Sequence, residues 1–265
     1  AKPITLINCF AGNRRATMAM QSHNFECSAV VFGAHLDANS LHFDGVRFHF
    51  DHLDTWVGRR VFQGYSEEQP DDSADGNHVK IVIQVPRKLE IPLSLPGYSK
   101  SELFSSWSMK PGGSEFTLKS RFYLDLEFQK RVEWAEVIHE LNRWRWFFSL
   151  ATRSPIDVRE FAVFRNDLRI PFGEEPMESL PVWVGREYAS GPPKSKHADM
   201  DFYFGYSDVE SDFPAIIGNW IRIQQSWAPV LHRFFAVSQP RQLWINENFL
   251  FIAQAIESLH RVRSG

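Results

Sequence analysis

Apolar and polar residues alternate along much of the first half of the chain, a period typical of strands with one buried and one solvated face. The longest alternating run is 116–128, in which Phe122 and Leu124 are expected to be almost fully buried. A second run, 79–85, ends at Pro86, which cannot continue a ladder of hydrogen bonds. These runs predict a mainly antiparallel, β-sandwich-like N-terminal region. Weaker strand patterns occupy residues 4–9, 27–33, 46–50, 156–164 and 200–206.

Three later segments repeat apolar residues at the helical period instead: 131–151, 214–227 and 246–259. Pro229 follows the second segment and predicts a kink or a break there. We expect the first helix to pack against the strands and the rest to form an α-helical C-terminal part. The chain is therefore predicted to be α+β, with a β-rich domain over 1–212 and a helical region over 213–265.

Composition narrows the classes of protein to which the chain can belong. With 23 Phe, 9 Trp and 6 Tyr, aromatic residues make up 14% of the chain, which suits a core rich in large flat side chains. A net charge of −3 argues against a generally basic surface for nucleic acid. Two cysteines cannot build a disulfide framework, and no apolar run is long enough to span a membrane. We expect a cytoplasmic protein that has no membrane partner.

Polar residues cluster around the strand at 46–50, where four histidines lie at positions 35, 42, 49 and 52. Alternation places Arg47, His49 and Asp51 on one face of this strand. Three imidazoles and a carboxylate could hold zinc, but no recognised ligand spacing is present, so the polar face of a strand is the preferred interpretation. We predict no metal and no cofactor, and we take Arg47, His49, Asp51 and Arg145 as a candidate binding face.

Arg145 belongs to the run Arg-Trp-Arg-Trp at 143–146, which could stack bases through its rings and cations. A structural role is favoured because Trp144 is part of the apolar stripe of its helix. No P-loop, nucleophile elbow or dinucleotide-binding motif is present, and His139-Glu140 lacks the second histidine of a zinc protease helix. Arg47 and His52 have the R-x4-H spacing of a ribonuclease, but on a strand and a turn. No catalytic residue is assigned.

Several segments together resemble the ApeA N-terminal domain family of bacterial anti-phage defence. They are AVVFGAHL at 29–36, LDTW at 53–56, FFSLATRSPIDV at 147–158 and NFLFIAQAIESLHR at 248–261. The last helix looks like the entry to the family's C-terminal HEPN domain. The resemblance implies a β-rich sensor joined to a ribonuclease that uses an R-x4–6-H motif on paired helices. Because the chain is expected to end before that motif, no catalytic residue is carried over.

The first hypothesis is therefore a sensor module that recognises a phage-derived protein or another trigger and controls a HEPN ribonuclease during abortive infection. RNA would be contacted only through the HEPN domain, so this chain alone is expected not to cleave RNA. The apolar stripe of the last helix needs a partner, and self-association through the C-terminal helices is a further expectation.

Two hypotheses of other classes remain open. One is a carbohydrate-binding or hydrolytic β-sandwich, in which exposed Trp and Tyr side chains would stack on sugar rings. The position of the Trp side chains, on an open concave face or in the core, distinguishes it from the sensor. The other is a structural piece that oligomerises through its C-terminal helices.

Overall fold

The computed structural model describes residues 3–16, 21–37, 39, 41–69, 78–84, 89–111, 116–168, 179–185, 202–238 and 245–264. Within these residues the chain forms ten strands and five helices. The strands are β1 (Ile4–Ala16), β2 (Gln21–Phe32), β3 (His42–Phe50), β4 (Gln63–Gln69), β5 (His78–Gln84), β6 (Glu90–Pro92), β7 (Tyr98–Pro111), β8 (Phe116–Glu133), β9 (Val158–Phe164) and β10 (Leu180–Val184). The helices are α1 (Leu53–Val57), α2 (Trp134–Ala151), α3 (Tyr206–Val209), α4 (Phe213–Ser238) and α5 (Ile245–Ser264).

Eight of these strands form one sheet in the order β1-β2-β10-β9-β3-β8-β7-β6, and every neighbouring pair in it is antiparallel. Strands β4 and β5 form a separate hairpin. The predicted α+β class, with antiparallel strands before C-terminal helices, is confirmed. The strands of the predicted sandwich-like region lie side by side in this one sheet, because β10 pairs with both β2 and β9. Helices, rather than a second sheet, make the layer that packs on them.

The core lies between the sheet and α2. On the sheet side, Phe48, Phe50 and Leu124 are completely buried, and Phe122 is 2% exposed, which confirms the predicted inner face of β8. On the helix side, the ring of Phe148 lies 5.4 Å from that of Phe50 and 5.0 Å from that of Trp56 in α1. The high aromatic content is thus used chiefly as packing between sheet and helices.

One predicted strand is wrong in its described part. Residues 202–205 form bends and loop, and α3 begins at Tyr206, where a strand over 200–206 was expected. The reason is local capping together with burial: Asp208 accepts a hydrogen bond from the Gly205 amide at 2.7 Å, which favours a helical turn. The Tyr206 ring then packs against Trp56 and Phe213, with ring centroids 5.7 and 5.6 Å away.

The C-terminal helices carry the predicted break. Trp227 has non-helical φ and ψ of −116° and 19°, two residues before Pro229, whose ring cannot fit a continuous helix. In α5, Glu257 and Arg261, which are one helical turn apart, form an ion pair at 2.6 Å. Only part of α5 is covered: Ala255 is buried, whereas Phe249 and Ile256 of the predicted stripe are 73% and 62% exposed. Every helix in the described part of the chain is too short or too polar to cross a membrane.

A buried polar network ties the sheet, α2 and α4 together. The Tyr98 hydroxyl donates to Glu140 at 2.6 Å, and Arg143 donates both to Glu140 and, at 2.9 Å, to the side chain of Gln224. Trp220 donates its indole N–H to the Arg143 carbonyl at 3.1 Å. Burial, and then the neighbouring Glu140 carboxylate, raises the pKa of Tyr98 well above its usual value, so this hydroxyl remains a donor.

The burial of Phe122 gives a test of the inner face. Replacing Phe122 with Ala should lower the free energy of unfolding by about 3–5 kcal/mol, because the substitution leaves a cavity beneath the sheet. Urea denaturation measures the loss, and the exposed Phe249→Ala in α5 is the matched control, with a change below about 1 kcal/mol. A loss below about 1 kcal/mol for Phe122→Ala would mean that the two faces of β8 are reversed.

Candidate binding face on the open side of the sheet

The side of the sheet away from α2 is here called the open face, and its side chains follow from strand alternation. Since Val46 and Phe48 point into the core, Arg47 between them points to the open face. Register then places Asp125 of β8 and Ala162 of β9 opposite Arg47, on either side of it. The same rule extends the open face to β7, where Glu102 lies opposite Asp125. Four strands therefore bring their polar positions together.

Arg47 is held in a fixed orientation at the centre of this region. Its Nε and Nη2 donate to the two carboxylate oxygens of Asp125 at 2.7 and 2.6 Å. Its guanidinium carbon lies 4.5 Å from the centroid of the Phe104 ring and 5.1 Å from that of Phe164. A forked ion pair combined with ring stacking immobilises an arginine far better than a single surface contact does.

Gly45 makes room for this arrangement. A Cβ atom at this position would lie 2.5 Å from the Leu126 carbonyl oxygen and 2.9 Å from the ring of Phe164. Both distances are shorter than the contacts that a Cβ atom makes with non-bonded atoms in proteins. The absence of a side chain at Gly45 thus lets Phe164 lie across β3, where it supports Arg47.

Two more ion pairs flank Arg47. Glu160 accepts hydrogen bonds from Arg121 and from the Tyr123 hydroxyl, the latter at 2.7 Å. Arg159 pairs with Asp51 through two hydrogen bonds, and its Nη2 lies 2.9 Å from Oδ2. Arg121 and Tyr123 of β8 thus reach across β3 to Glu160 of β9, and Arg159 of β9 pairs with Asp51 in the turn after β3.

These side chains line two neighbouring hollows of about 390 and 510 Å³. Both hollows include Arg47, Phe104 and Ser106 in their walls, so Arg47 stands on the ridge between them. Tyr123, Arg159 and Glu160 line the first hollow, and the second is lined by acidic groups together with Lys100. The hydrogen bond from Lys100 to Glu102, at 3.0 Å, raises the pKa of this lysine above its usual value.

His49 lies beneath the open face rather than on it. It is 8% exposed, its Nδ1 is 2.8 Å from the Phe122 carbonyl oxygen, and its ring centroid is 5.5 Å from that of Tyr123. Burial lowers the pKa of His49, and the nearby Asp54 carboxylate offsets this only in part. A neutral imidazole whose Nδ1–H donates to the carbonyl fits this position, where it supports Tyr123 from below.

Arg145 lies apart from the other three predicted residues. It is 3% exposed on α2 and donates from Nε to the Ile156 carbonyl at 2.6 Å and from Nη2 to Asp157 at 3.2 Å. The structure therefore places Arg47 and Asp51 in two separate ion pairs, with Asp51 in the turn just after β3 and His49 buried between them in sequence, and it places Arg145 on the helix side of the sheet. Its neighbour Trp144 is buried, as the structural interpretation of this segment predicted.

Sequence reasoning missed several residues of the open face, among them Phe104, Asp125 and Glu160. The alternation over 116–128 puts Asp125 on the side away from Phe122 and Leu124, but only the register shows that this side faces Arg47. A strand pattern says which residues share a face and is silent about which strand lies next to it.

The geometry gives little support to a metal site, a ribonuclease motif or a sugar-binding platform. In the described part of the chain no three His, Cys, Asp or Glu side chains converge as metal ligands do. His52, of the R-x4-H spacing, sits in a left-handed turn before α1, with its ring against Phe202. Trp side chains lie mostly in the core. Among the described residues, the exposed Trp107 and Trp183 are on β7 and β10 and point to opposite sides of the sheet. A platform of aromatic rings for sugars is not what these residues form.

Comparison with known proteins gives one match. The family model described as ApeA N-terminal domain 1 matches residues 1–220, which spans the whole sheet, α2, α3 and the first part of α4. No curated protein and no solved structure matches the chain. The matched range ends within α4, and the predicted boundary at residue 212 remains a prediction.

Arg145 and Arg47 should stabilise the fold to different degrees. Arg145→Ala should lower the free energy of unfolding by about 3–5 kcal/mol, since it removes a buried cation that is hydrogen-bonded to Asp157 and to the Ile156 carbonyl. Arg47→Ala should lower it by less, about 1–2 kcal/mol, because its forked ion pair with Asp125 is partly solvated. Urea denaturation of both variants measures the difference, and a loss for Arg47→Ala as large as that for Arg145→Ala would contradict the assignment.

The lowered pKa of His49 predicts a pH dependence of stability. The unfolded chain takes up this proton near the ordinary histidine pKa of about 6.5, whereas the folded chain resists it until lower pH. His49 should therefore destabilise the fold as pH falls below about 6.5, with its contribution fully favourable above that value. In denaturation curves from pH 7.5 to 5, His49→Asn should lose less stability than the wild type. Parallel curves would show that His49 carries no such shift.

Proposed function

Because the chain belongs to the ApeA N-terminal domain family, we propose that it is the recognition module of a bacterial anti-phage defence protein. Membership of this family fits a sensor role in such defence. The observation that carries the proposal is the match over residues 1–220, which covers every strand of the sheet and so the whole open face. The recognition surface that we propose is the region around Arg47.

The trigger that this surface suits is a protein. Each of its arginines faces a carboxylate, as in Arg47–Asp125 and Arg159–Asp51, so the surface lacks the unbalanced positive charge that phosphate binding requires. Arg and Tyr side chains held rigidly beside hollows are the residue types that dominate protein interfaces. A phage-derived protein with charged groups complementary to these pairs is the proposed partner.

Recognition would be passed on through α2 to the C-terminal helices. The core face of the sheet packs on α2, and the network of Glu140, Arg143 and Gln224 connects α2 to α4. A partner that shifts β3 or β8 therefore displaces α2, which is hydrogen-bonded to α4. In the proposed intact protein these helices lead to a HEPN ribonuclease, which contacts the RNA and whose activation in the cytoplasm ends the infection abortively.

The proposal is tested by phage challenge of bacteria that express the intact protein. Arg47→Ala should reduce protection, since loss of a central arginine anchor weakens binding by about 30-fold, or about 2 kcal/mol. The control is Arg59→Ala. Like Arg47, Arg59 has an ion-pair partner, Glu210, and stacks on an aromatic ring, that of Tyr206, but it lies away from the open face. Protection should survive in this control.

Two further measurements make the result specific. Cellular RNA should be cleaved after infection in the wild type and stay intact in Arg47→Ala, while unfolding curves show that both proteins are folded. Full protection by a folded Arg47→Ala protein would remove the open face from recognition. Loss of protection in both arginine variants would mean that the effect is not specific to this face.

A further inference from the structure

The open face is polar around Arg47 and apolar on the strands at the β1 end of the sheet. On the side of β1, β2 and β10 the register places Ile4 opposite Phe32, and Val30 opposite both Leu6 and Trp183. Cross-strand partners point to the same side of a sheet. Pro181 is two residues before Trp183, so the two share a side, and Pro181 lies opposite Ala162 of the region around Arg47. These five residues, Ile4, Leu6, Val30, Phe32 and Trp183, therefore belong to the open face and are called its apolar half.

The apolar half is exposed to a degree that is unusual for side chains of this size. Ile4, Leu6, Phe32 and Trp183 are 40–49% exposed, and Phe10, further along β1, is 70% exposed. With roughly 200 Å² for each large side chain, these residues expose roughly 500 Å² of apolar surface. That is near the upper end for the largest patch on a monomer, and such patches commonly mark interfaces.

The two edge strands of the sheet, β6 and β1, differ in their content of charged residues and proline. The β6 edge is three residues long and contains Glu90 and Pro92, both of which discourage pairing with another chain. The β1 edge runs for 13 residues, and from Ile4 to Phe10 it carries no charged residue and no proline. Among the described residues, the first half of the β1 edge therefore lacks the charge and the proline that protect the β6 edge.

We propose that the apolar half packs against the apolar half of a second copy of this chain, related to it by a twofold axis. An isologous interface uses one patch twice, so the patch must complement itself. Its five residues are all uncharged, so contact between the two sets of five brings no like charges together, and the exposed Glu26 lies further along the strands, opposite Phe10. Two such sheets would stack face to face about 10 Å apart, as in a β-sandwich.

The size of the patch agrees with a second copy. A small stable dimer buries about 600–800 Å² on each partner, and the apolar half with Phe10 supplies the greater part of that area. The region around Arg47 lies on β3, β8 and β7, beyond β9 and β10 from the axis, and would stay accessible. This inference does not depend on the proposed function.

The oligomeric state of the chain in solution tests the proposal. Light scattering with size-exclusion chromatography at roughly 100 µM should give twice the 30.7 kDa of one chain. Leu6→Lys/Trp183→Lys should weaken the dimer at least tenfold, because it places like charges across the twofold axis. The matched control is Phe249→Lys/Ile256→Lys, which charges the other large exposed apolar surface, on α5, and should leave the dimer intact.

A mixing experiment guards against misfolding of the variant. Leu6→Lys/Trp183→Lys mixed with Leu6→Glu/Trp183→Glu should restore a dimer that neither forms alone, since opposite charges now meet. A wild type that stays monomeric at this concentration overturns the proposal. So does a dimer that only the α5 variant disrupts, which would place the contact on the helices. If the wild type is monomeric and the Lys variant also loses phage protection, the apolar half binds the trigger and not a second copy.

Discussion

Packing of α2 against one side of the sheet is the interaction on which the rest of the structure depends. Phe50 and Phe148 meet in this contact, and Trp144 is buried within it. Because strand side chains alternate, burying one set under α2 commits the intervening set to the opposite side. Arg47 projects there for the same reason that Phe48 is buried. The open face is therefore a direct consequence of how the core is built.

The same helix gives the open face a physical connection to the C-terminal region. Glu140 and Arg143 lie on α2, contact Tyr98 at the start of β7, and reach Gln224 and Trp220 in α4. Groups in a buried network of this kind cannot move independently without leaving a donor or acceptor unsatisfied, which is costly. A change in the sheet that alters the position of α2 thus has a defined route to α4.

The open face combines two chemistries side by side. Around Arg47, opposite charges are paired across strands, which favours selective recognition over nonspecific attraction. Toward β1, the five residues of the apolar half are all uncharged. A surface with this division can serve two contacts at once, one chosen by charge complementarity and one driven by burial of apolar area.

Local periodicity was sufficient to predict much of the fold. The strand at 116–128, the helix at 131–151 and the break at Pro229 were all visible in the sequence, because each depends on the residues of one segment and their spacing. The inner face of β8 could be predicted for the same reason. The strand expected at 200–206 was wrong, because the cap at Asp208 and the burial of Tyr206 outweighed a weak alternation.

The candidate site needed the tertiary structure. Alternation placed Arg47 on the polar side of its strand and predicted Asp51 beside it, whereas β3 ends at Phe50 and Asp51 lies in the following turn. The sequence carried no signal that Asp125, 78 residues away, would be the partner of Arg47. It grouped Arg145 with them, whereas packing buries Arg145 beside Asp157. The single sheet also depends on long-range pairing, since β10 joins β2 to β9. Periodicity is a property of neighbours along the chain, while register and strand order are decided by which distant segments pair when the core closes.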